Sequence, residues 1–128
     1  LASYALMFLP GGMPGTLNLG ASALVTDEVR RRSAAGQPLA AICAAPSILA
    51  EHGALQARHA TANPGFMDAI AAGGALMSEA AVVRDANLIT SRGMGTSTEL
   101  GFEIIRLLLG DDAEQVVARV KQGIVYQR

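Results

Sequence analysis

The clearest pattern along the chain is a series of short apolar runs, each closed by glycine or proline and separated by stretches of helical periodicity. Tyr4 to Leu9 is the first run, and Pro10-Gly11-Gly12 ends it. It reads as a buried strand, since a parallel strand covered on both faces need not alternate. Pro10 to Gly15 reads as a turn in which glycine permits positive φ and close approach of a ligand to the main chain. Ser22 is placed to cap a helix that runs to about Ala35, with Leu24, Val25 and Val29 as its apolar stripe and Gly36 as its stop. Leu39-Ala40-Ala41-Ile42 is a strand of small apolar residues. It runs through Cys43-Ala44-Ala45 into a helix that Pro46 opens and Gly53 ends.

The middle of the chain is less regular. Ala60 to Ala62 is expected as a brief strand and Pro64 to Ala71 as a short helix, broken by Gly73-Gly74. Ala81–Arg84 and Asn87–Thr90 form a predicted hairpin turning at Asp85-Ala86. Gly93-Met94-Gly95 is a loop. The spacing of Thr96 and Glu99 predicts a capping box before a helix that carries Phe102, Ile104, Ile105, Leu107, Leu108 and Leu109. Gly110 stops it, Asp111 and Glu114 repeat the capping spacing, and Val116, Val117 and Val120 mark the next helix. Ile124 to Tyr126 is expected as an extended end. Strands alternating with helices predict an α/β fold with a mainly parallel sheet.

Composition narrows the function classes. The 128 residues suffice for one domain, and 51% are hydrophobic against 16% charged. A net charge of -1 gives no broad affinity for nucleic acid or an anionic membrane. Arg30, Arg31 and Arg32 read as a solvated helix face. No run approaches the roughly 20 apolar residues that span a bilayer. Leu1 to Leu9 lacks the basic region and cleavage site of a signal peptide. One cysteine cannot form an internal disulfide, which fits a reducing, cytoplasmic setting.

That cysteine is the main chemical candidate. At a strand-to-helix elbow, Cys43 would sit above the carboxyl ends of the strands, where open α/β sheets bind ligands. Unpaired amides of the helix opening at Pro46 would favour a thiolate. Small Ala44 and Ala45 leave room for a substrate and their amides available to an oxyanion. If both strands share one parallel sheet, the Gly12 amide could face the same atom. The alternative is a buried, inert cysteine. His59 and, less so, His52 are candidates for a general base. Asn63 could only donate a hydrogen bond, and Arg92 could hold an anionic group or a neighbouring loop. Glu51, Glu99 and Glu103 read as caps or surface acids. The two histidines have no metal-ligand spacing with Cys43.

Leu9-Pro10-Gly11-Gly12, Ala40-Ala41-Ile42-Cys43-Ala44-Ala45-Pro46 and Thr90-Ser91-Arg92-Gly93-Met94-Gly95-Thr96-Ser97 together resemble the family of DJ-1, ThiJ and PfpI proteins, close to its DJ-1/YajL-like branch. The resemblance implies a flavodoxin-like three-layer α/β sandwich, usually a homodimer, of which residues 1–128 would be the C-terminal two-thirds. It implies a nucleophilic, easily oxidised Cys43 with oxyanion-binding amides from Gly12 and Ala44, and a pocket that Gly11, Asn63 and Arg92 could border. Family members normally begin with a strand, a helix carrying a glutamate that hydrogen-bonds the cysteine, and a second strand. None of these precedes Leu1, so a separate N-terminal piece is a candidate partner.

Asn63 stands where some relatives have a histidine. Ala44 replaces the histidine of the protease-like branch, which argues against a cysteine–histidine peptidase. The function implied is cofactor-independent chemistry on small aldehydes such as methylglyoxal, or on glycated adducts. The alternatives are a redox sensor or chaperone acting through oxidation of Cys43, and an inactive fragment or structural homologue.

Overall fold

A computed structural model describes residues 1–127. Four strands form the main sheet: β1 (Met7–Leu9), β2 (Leu39–Ile42), β6 (Leu88–Ser91) and β5 (Val82–Asp85), in that spatial order. β1, β2 and β6 are parallel, and β5 is antiparallel to β6. A second, two-stranded parallel ribbon pairs β3 (His59–Ala60) with β4 (Leu76–Met77). Six α-helices complete the described chain: α1 (Gly15–Gly20), α2 (Ala23–Ala35), α3 (Pro46–Glu51), α4 (Met67–Ala72), α5 (Ser97–Leu109) and α6 (Ala113–Gly123).

The side-chain parity of β2 shows why both faces are covered. Leu39 and Ala41 join one core with Val29 of α2, Ile48 and Leu49 of α3 and Ile70 of α4. Ala40 and Ile42 join a second core with Ile89 of β6 and Leu100 and Ile104 of α5. Successive strand residues point to opposite faces, so a strand apolar at every position needs helices on both sides. The arrangement is the flavodoxin-like α/β sandwich expected from the sequence.

Several local expectations hold. Ser22 Oγ accepts from the Val25 amide, and Gly36 ends α2 in the left-handed region at φ 68°. Others need correction. β1 is only three residues long, and β3 lies at His59–Ala60 rather than reaching Ala62. The hairpin turns at Ala86-Asn87, because Asp85 pairs with Leu88. Thr96 makes no side-chain cap to α5, and no side chain caps α6. A 3-10 turn at Gly110–Asp112 leads into α6, while Glu114 pairs with Arg106 at 2.7 Å. Ile124 to Tyr126 is not extended. The Ile124 and Tyr126 amides donate to the carbonyls of Val120 and Lys121, folding the end back. The Tyr126 ring then meets Phe102 edge-on at 5.0 Å, and its hydroxyl donates to Glu99 Oε1 at 2.8 Å.

The arginine run departs most from expectation. Arg32 is 1% exposed. Its guanidinium meets Glu28 at 2.9 Å and donates to the carbonyls of Pro38, Leu1 and Tyr4. A buried guanidinium survives because each of its three nitrogens donates to an acceptor. It ties the entry to β1 and the entry to β2 to one helix. Glu28 also accepts two bonds from Arg31. The Arg31 bonds first, then that of Arg32, hold its carboxyl down to about 2 against a reference of 4.5.

Two outcomes follow from this cluster. A carboxyl lowered on folding stabilises the protein fully above its unfolded value, and that contribution is lost as pH falls toward the folded value. The urea midpoint of the wild type should therefore drop between pH 4.5 and about 2, and Glu28→Gln should flatten that part of the curve. Arg32→Met should cost about 1–3 kcal/mol by urea unfolding at neutral pH, because it removes the bonds to the Glu28 carboxylate and to the carbonyls of Pro38, Leu1 and Tyr4.

Candidate active site

Cys43 follows directly on β2 and has φ 64°. Only a few per cent of residues other than glycine adopt this left-handed region, so the surroundings must hold it there. They do so through both backbone groups. The Cys43 amide donates to the Ser91 carbonyl at 3.0 Å, and its carbonyl accepts from the Asn63 amide at 2.9 Å. The third restraint is contact with the glycine turn. A Cβ on Gly11 would lie 2.6 Å from Cys43 Cβ and 2.8 Å from the Ile42 carbonyl oxygen. Only a residue without a side chain fits there. Gly12 has φ 90°, and its carbonyl accepts from the amide and hydroxyl of Thr16, fixing the turn.

The two turns open into one cavity of about 360 Å³, lined by Gly11, Gly12, Ile42, Cys43, Gly93, Met94 and Ser97. Cys43 is half-buried. The amides of Gly12 and Ala44 donate to no acceptor among the described residues. The rest of the expected amide field is different. Pro46 has no N–H, and the amides of Ala45, Ser47 and Ile48 donate to the carbonyls of Ile42, Ala44 and Ala45. The first turn of α3 is therefore tightened and satisfied internally. Ala44 alone on this side keeps an amide for a ligand.

Other expected site residues lie elsewhere or serve differently. Asn63 holds Cys43 through its backbone, while its side-chain oxygen caps the next turn at the Gly65 amide. Arg92 does not line the cavity; its guanidinium donates to the carbonyls of Ala62 and Glu79. It holds the neighbouring loops, one of the two roles expected. His59 sits at the opposite end of the strands, its amide on the Asp85 carboxylate at 2.8 Å. That bond, then the Arg58 charge, keeps the Asp85 carboxyl below its usual range. His52 pairs with Arg30 at 2.7 Å beyond α3. Neither imidazole borders the cavity. Among the described residues no cluster of three or more metal-ligating side chains occurs, and no helix is long and apolar enough to cross a membrane.

The loop after β6, a polar stretch of Ser91, Arg92, Gly93 and Thr96 suited by its sequence to a pocket wall, leads into the far wall at Gly93, Met94 and Ser97. Thr96 Oγ1 accepts from the amides of Arg92 and Gly93 at 3.1 Å each and lies 2.6 Å from Ser91 Oγ. Ser91 thus receives the Cys43 amide on its carbonyl while its side chain anchors the loop carrying Met94. The anchoring contact between hydroxyls five residues apart was not legible in the sequence, because the helical spacing of Thr96 to Glu99 masked it.

The restraints on Cys43 give two measurable outcomes. Gly11→Ala should destabilise the protein by about 1–3 kcal/mol, as overpacking does, and should slow alkylation of Cys43 by displacing it. Cys43→Gly should be more stable than Cys43→Ala by about 1 kcal/mol in urea unfolding, since glycine alone relieves the left-handed strain.

Comparison with known proteins agrees with this geometry. The model of the DJ-1/PfpI family matches residues 1–107. Protein dj-1beta of Drosophila melanogaster is 38% identical over 116 residues, covering 91% of this chain and 62% of that protein. Its crystal structure superposes with a TM-score of 0.85 and 35% identity, over 98% of this chain and 66% of that one. The Parkinson disease protein 7 homolog of Danio rerio is 38% identical over 95% of this chain and 64% of its own length. The glutathione-independent glyoxalase DJR-1.2 of Caenorhabditis elegans is 29% identical over 86% of this chain and 58% of its own. This chain thus spans somewhat under two-thirds of the length of each of these three curated relatives. With the cysteine elbow and the glycine turn both inside the matched region, the chain belongs to the DJ-1/PfpI family.

Proposed function

We propose that this chain is the C-terminal two-thirds of a single domain that converts small reactive aldehydes, such as methylglyoxal, through covalent addition to Cys43. The observation that carries the reading is the half-buried Cys43 in a cavity it shares with the glycine turn, with the Gly12 and Ala44 amides lacking acceptors. Similarity to a glutathione-independent glyoxalase supports the same class.

The chemistry divides into addition and proton transfer. Cys43 sulfur, as thiolate, attacks the aldehyde carbon; the carbonyl electron pair moves to oxygen, and the two amides would stabilise that oxyanion. Protonation gives a hemithioacetal. The hydrogen on the former aldehyde carbon then leaves as a proton to a base, and a proton returns at the neighbouring carbon. The product of that shift is a thioester of lactate. Water cleaves the carbon–sulfur bond, releasing lactate and the free thiol. None of the cavity's side chains is a carboxylate or imidazole. The proton shuttle is therefore assigned to the glutamate that the family resemblance places on a helix ahead of the residue matching Leu1. The homodimer implied by the same resemblance belongs to this proposal and is read by sedimentation equilibrium.

The test follows methylglyoxal loss and lactate formation with the full natural chain. Cys43→Ala should lower kcat/KM by about a thousandfold or more while the fold is retained by circular dichroism. Undiminished conversion in that variant would refute the proposal. No conversion by the wild type, together with peroxide oxidation of Cys43 to a sulfinate seen by peptide mass, would replace it with the redox-sensing reading.

A further inference from the structure

Arg92 lies outside the cavity, yet it is bonded to both peptide planes that grip Cys43. Its own amide donates to Thr96 Oγ1 at 3.1 Å, and the Ser91 carbonyl of that same plane accepts the Cys43 amide at 3.0 Å. Its guanidinium Nε donates to the Ala62 carbonyl at 2.9 Å. The Asn63 N–H of that second plane donates to the Cys43 carbonyl at 2.9 Å. The segment is kept in place by the neighbouring Thr61 amide, which donates to Thr90 Oγ1 on β6 at 2.9 Å. One arginine thus reaches both backbone groups of Cys43, each through a single intervening plane.

The side-chain path continues past Cys43. The Cys43 carbonyl and the Ala44 N–H belong to one trans peptide plane, in which the two groups point in opposite directions. Gripping the carbonyl therefore aims the amide. The groups run in series from the Arg92 guanidinium, through the Ala62–Asn63 plane, to the Cys43–Ala44 plane. A cation at the start polarises each plane in the same sense, so the free N–H at the far end gains positive character. That N–H is the Ala44 amide, which has no acceptor among the described residues. Ala62 is 0% exposed and Ala44 2%, so water competes little for the bonds between them.

We propose that Arg92 is a positioning residue for the oxyanion site: its charge aims and strengthens the Ala44 N–H through two peptide planes in series. The effect on turnover rests on the aldehyde reading above. The relay itself belongs to the protein at rest and is measurable without substrate. A neutral side chain that merely held the Ala62 carbonyl would leave both planes less polarised.

The experiment uses NMR and kinetics on the full natural chain. In the wild type, couplings across hydrogen bonds should join Arg92 Nε to the Ala62 carbonyl carbon and the Asn63 nitrogen to the Cys43 carbonyl carbon. The helical bonds of α2 serve as the internal standard. Absence of either coupling where α2 shows them would overturn the proposal, and this measurement needs no variant.

Two variants separate charge from anchoring. Arg92→Gln offers a neutral N–H donor, and Arg92→Lys keeps the charge. In Arg92→Gln the amide protons of Asn63 and Ala44 should both move upfield, Asn63 by more. The Cys43 amide proton, bonded to Ser91 outside the relay, should hold its position. Arg92→Lys should return both protons toward the wild type. With methylglyoxal, Arg92→Gln should lower kcat about fivefold with KM within about twofold, and Arg92→Lys should recover most of that loss. Unmoved Asn63 and Ala44 protons in Arg92→Gln, or equal changes in both variants, would overturn the proposal. The expected NMR pattern without aldehyde conversion by the wild type would refute the aldehyde reading and leave the relay supported.

Discussion

The hydrogen bond from the Cys43 amide to the Ser91 carbonyl extends the β2–β6 ladder one residue beyond the last extended residue of β2. The backbone there has already turned left-handed, at a cost of about 1–2 kcal/mol for a residue with a side chain. The ladder bond and the Asn63 bond on the other side of the residue together offset that cost. They also fix which way Cβ points. Gly11 occupies the space immediately behind Cβ, so the sulfur is confined to the cavity side. A hydrogen-bond ladder, a loop amide and a missing side chain thus define one atom's position.

The same economy of side chains runs through β2. Ala40 and Ala41 are fully buried, one in each core. Small residues on a strand flanked by β1 and β6 let helices sit close on both faces, and closeness shortens the path from strand to helix. The elbow is tight because only three residues separate β2 from α3, which has no side-chain cap and uses Pro46 and three backbone bonds of the tighter 3-10 type. That tightening consumes the amides a longer cap would leave free. What remains for a ligand is one amide beside the cysteine and one from the glycine turn, a sparse arrangement whose effect depends on burial and orientation rather than on number.

Features governed by nearest neighbours were legible in the sequence. Ser22 and Gly36 bracket α2 because caps act within one turn. The strand–cysteine–proline elbow was readable because glycine, proline and small apolar residues each restrict the backbone locally. Features decided by distant partners were not. Arg32 looks like its two neighbours in sequence, and only the carbonyls of Leu1 and Tyr4, about 30 positions away, make it a core residue. Tyr126 reads as part of an extended end until Phe102 and Glu99 are placed beside it. Thr96 satisfies the capping spacing but its hydroxyl finds better-placed amides behind it, at Arg92 and Gly93. α1 and β4 escaped notice for another reason. α1 has no side-chain cap, and β4 is two exposed residues held by pairing with β3.

The distribution of charge then bears on how the chemistry is shared. Most of the ion pairs recorded lie on helix surfaces or at the end of the sheet away from Cys43: Arg32 with Glu28, Arg58 with Asp85, and Arg106 with Glu103 and Glu114. The cavity end has backbone dipoles, a sulfur and apolar walls. Such an end is suited to stabilising charge that develops on a substrate oxygen, since fixed amides need no reorganisation and apolar walls weaken competition from water. It is not suited to moving a proton off carbon, which needs a basic side chain within hydrogen-bond reach. In the proposed aldehyde chemistry the nucleophile and oxyanion donors thus come from this fold's β2 elbow and glycine turn, and the proton carrier from a group outside the cavity wall of the described residues.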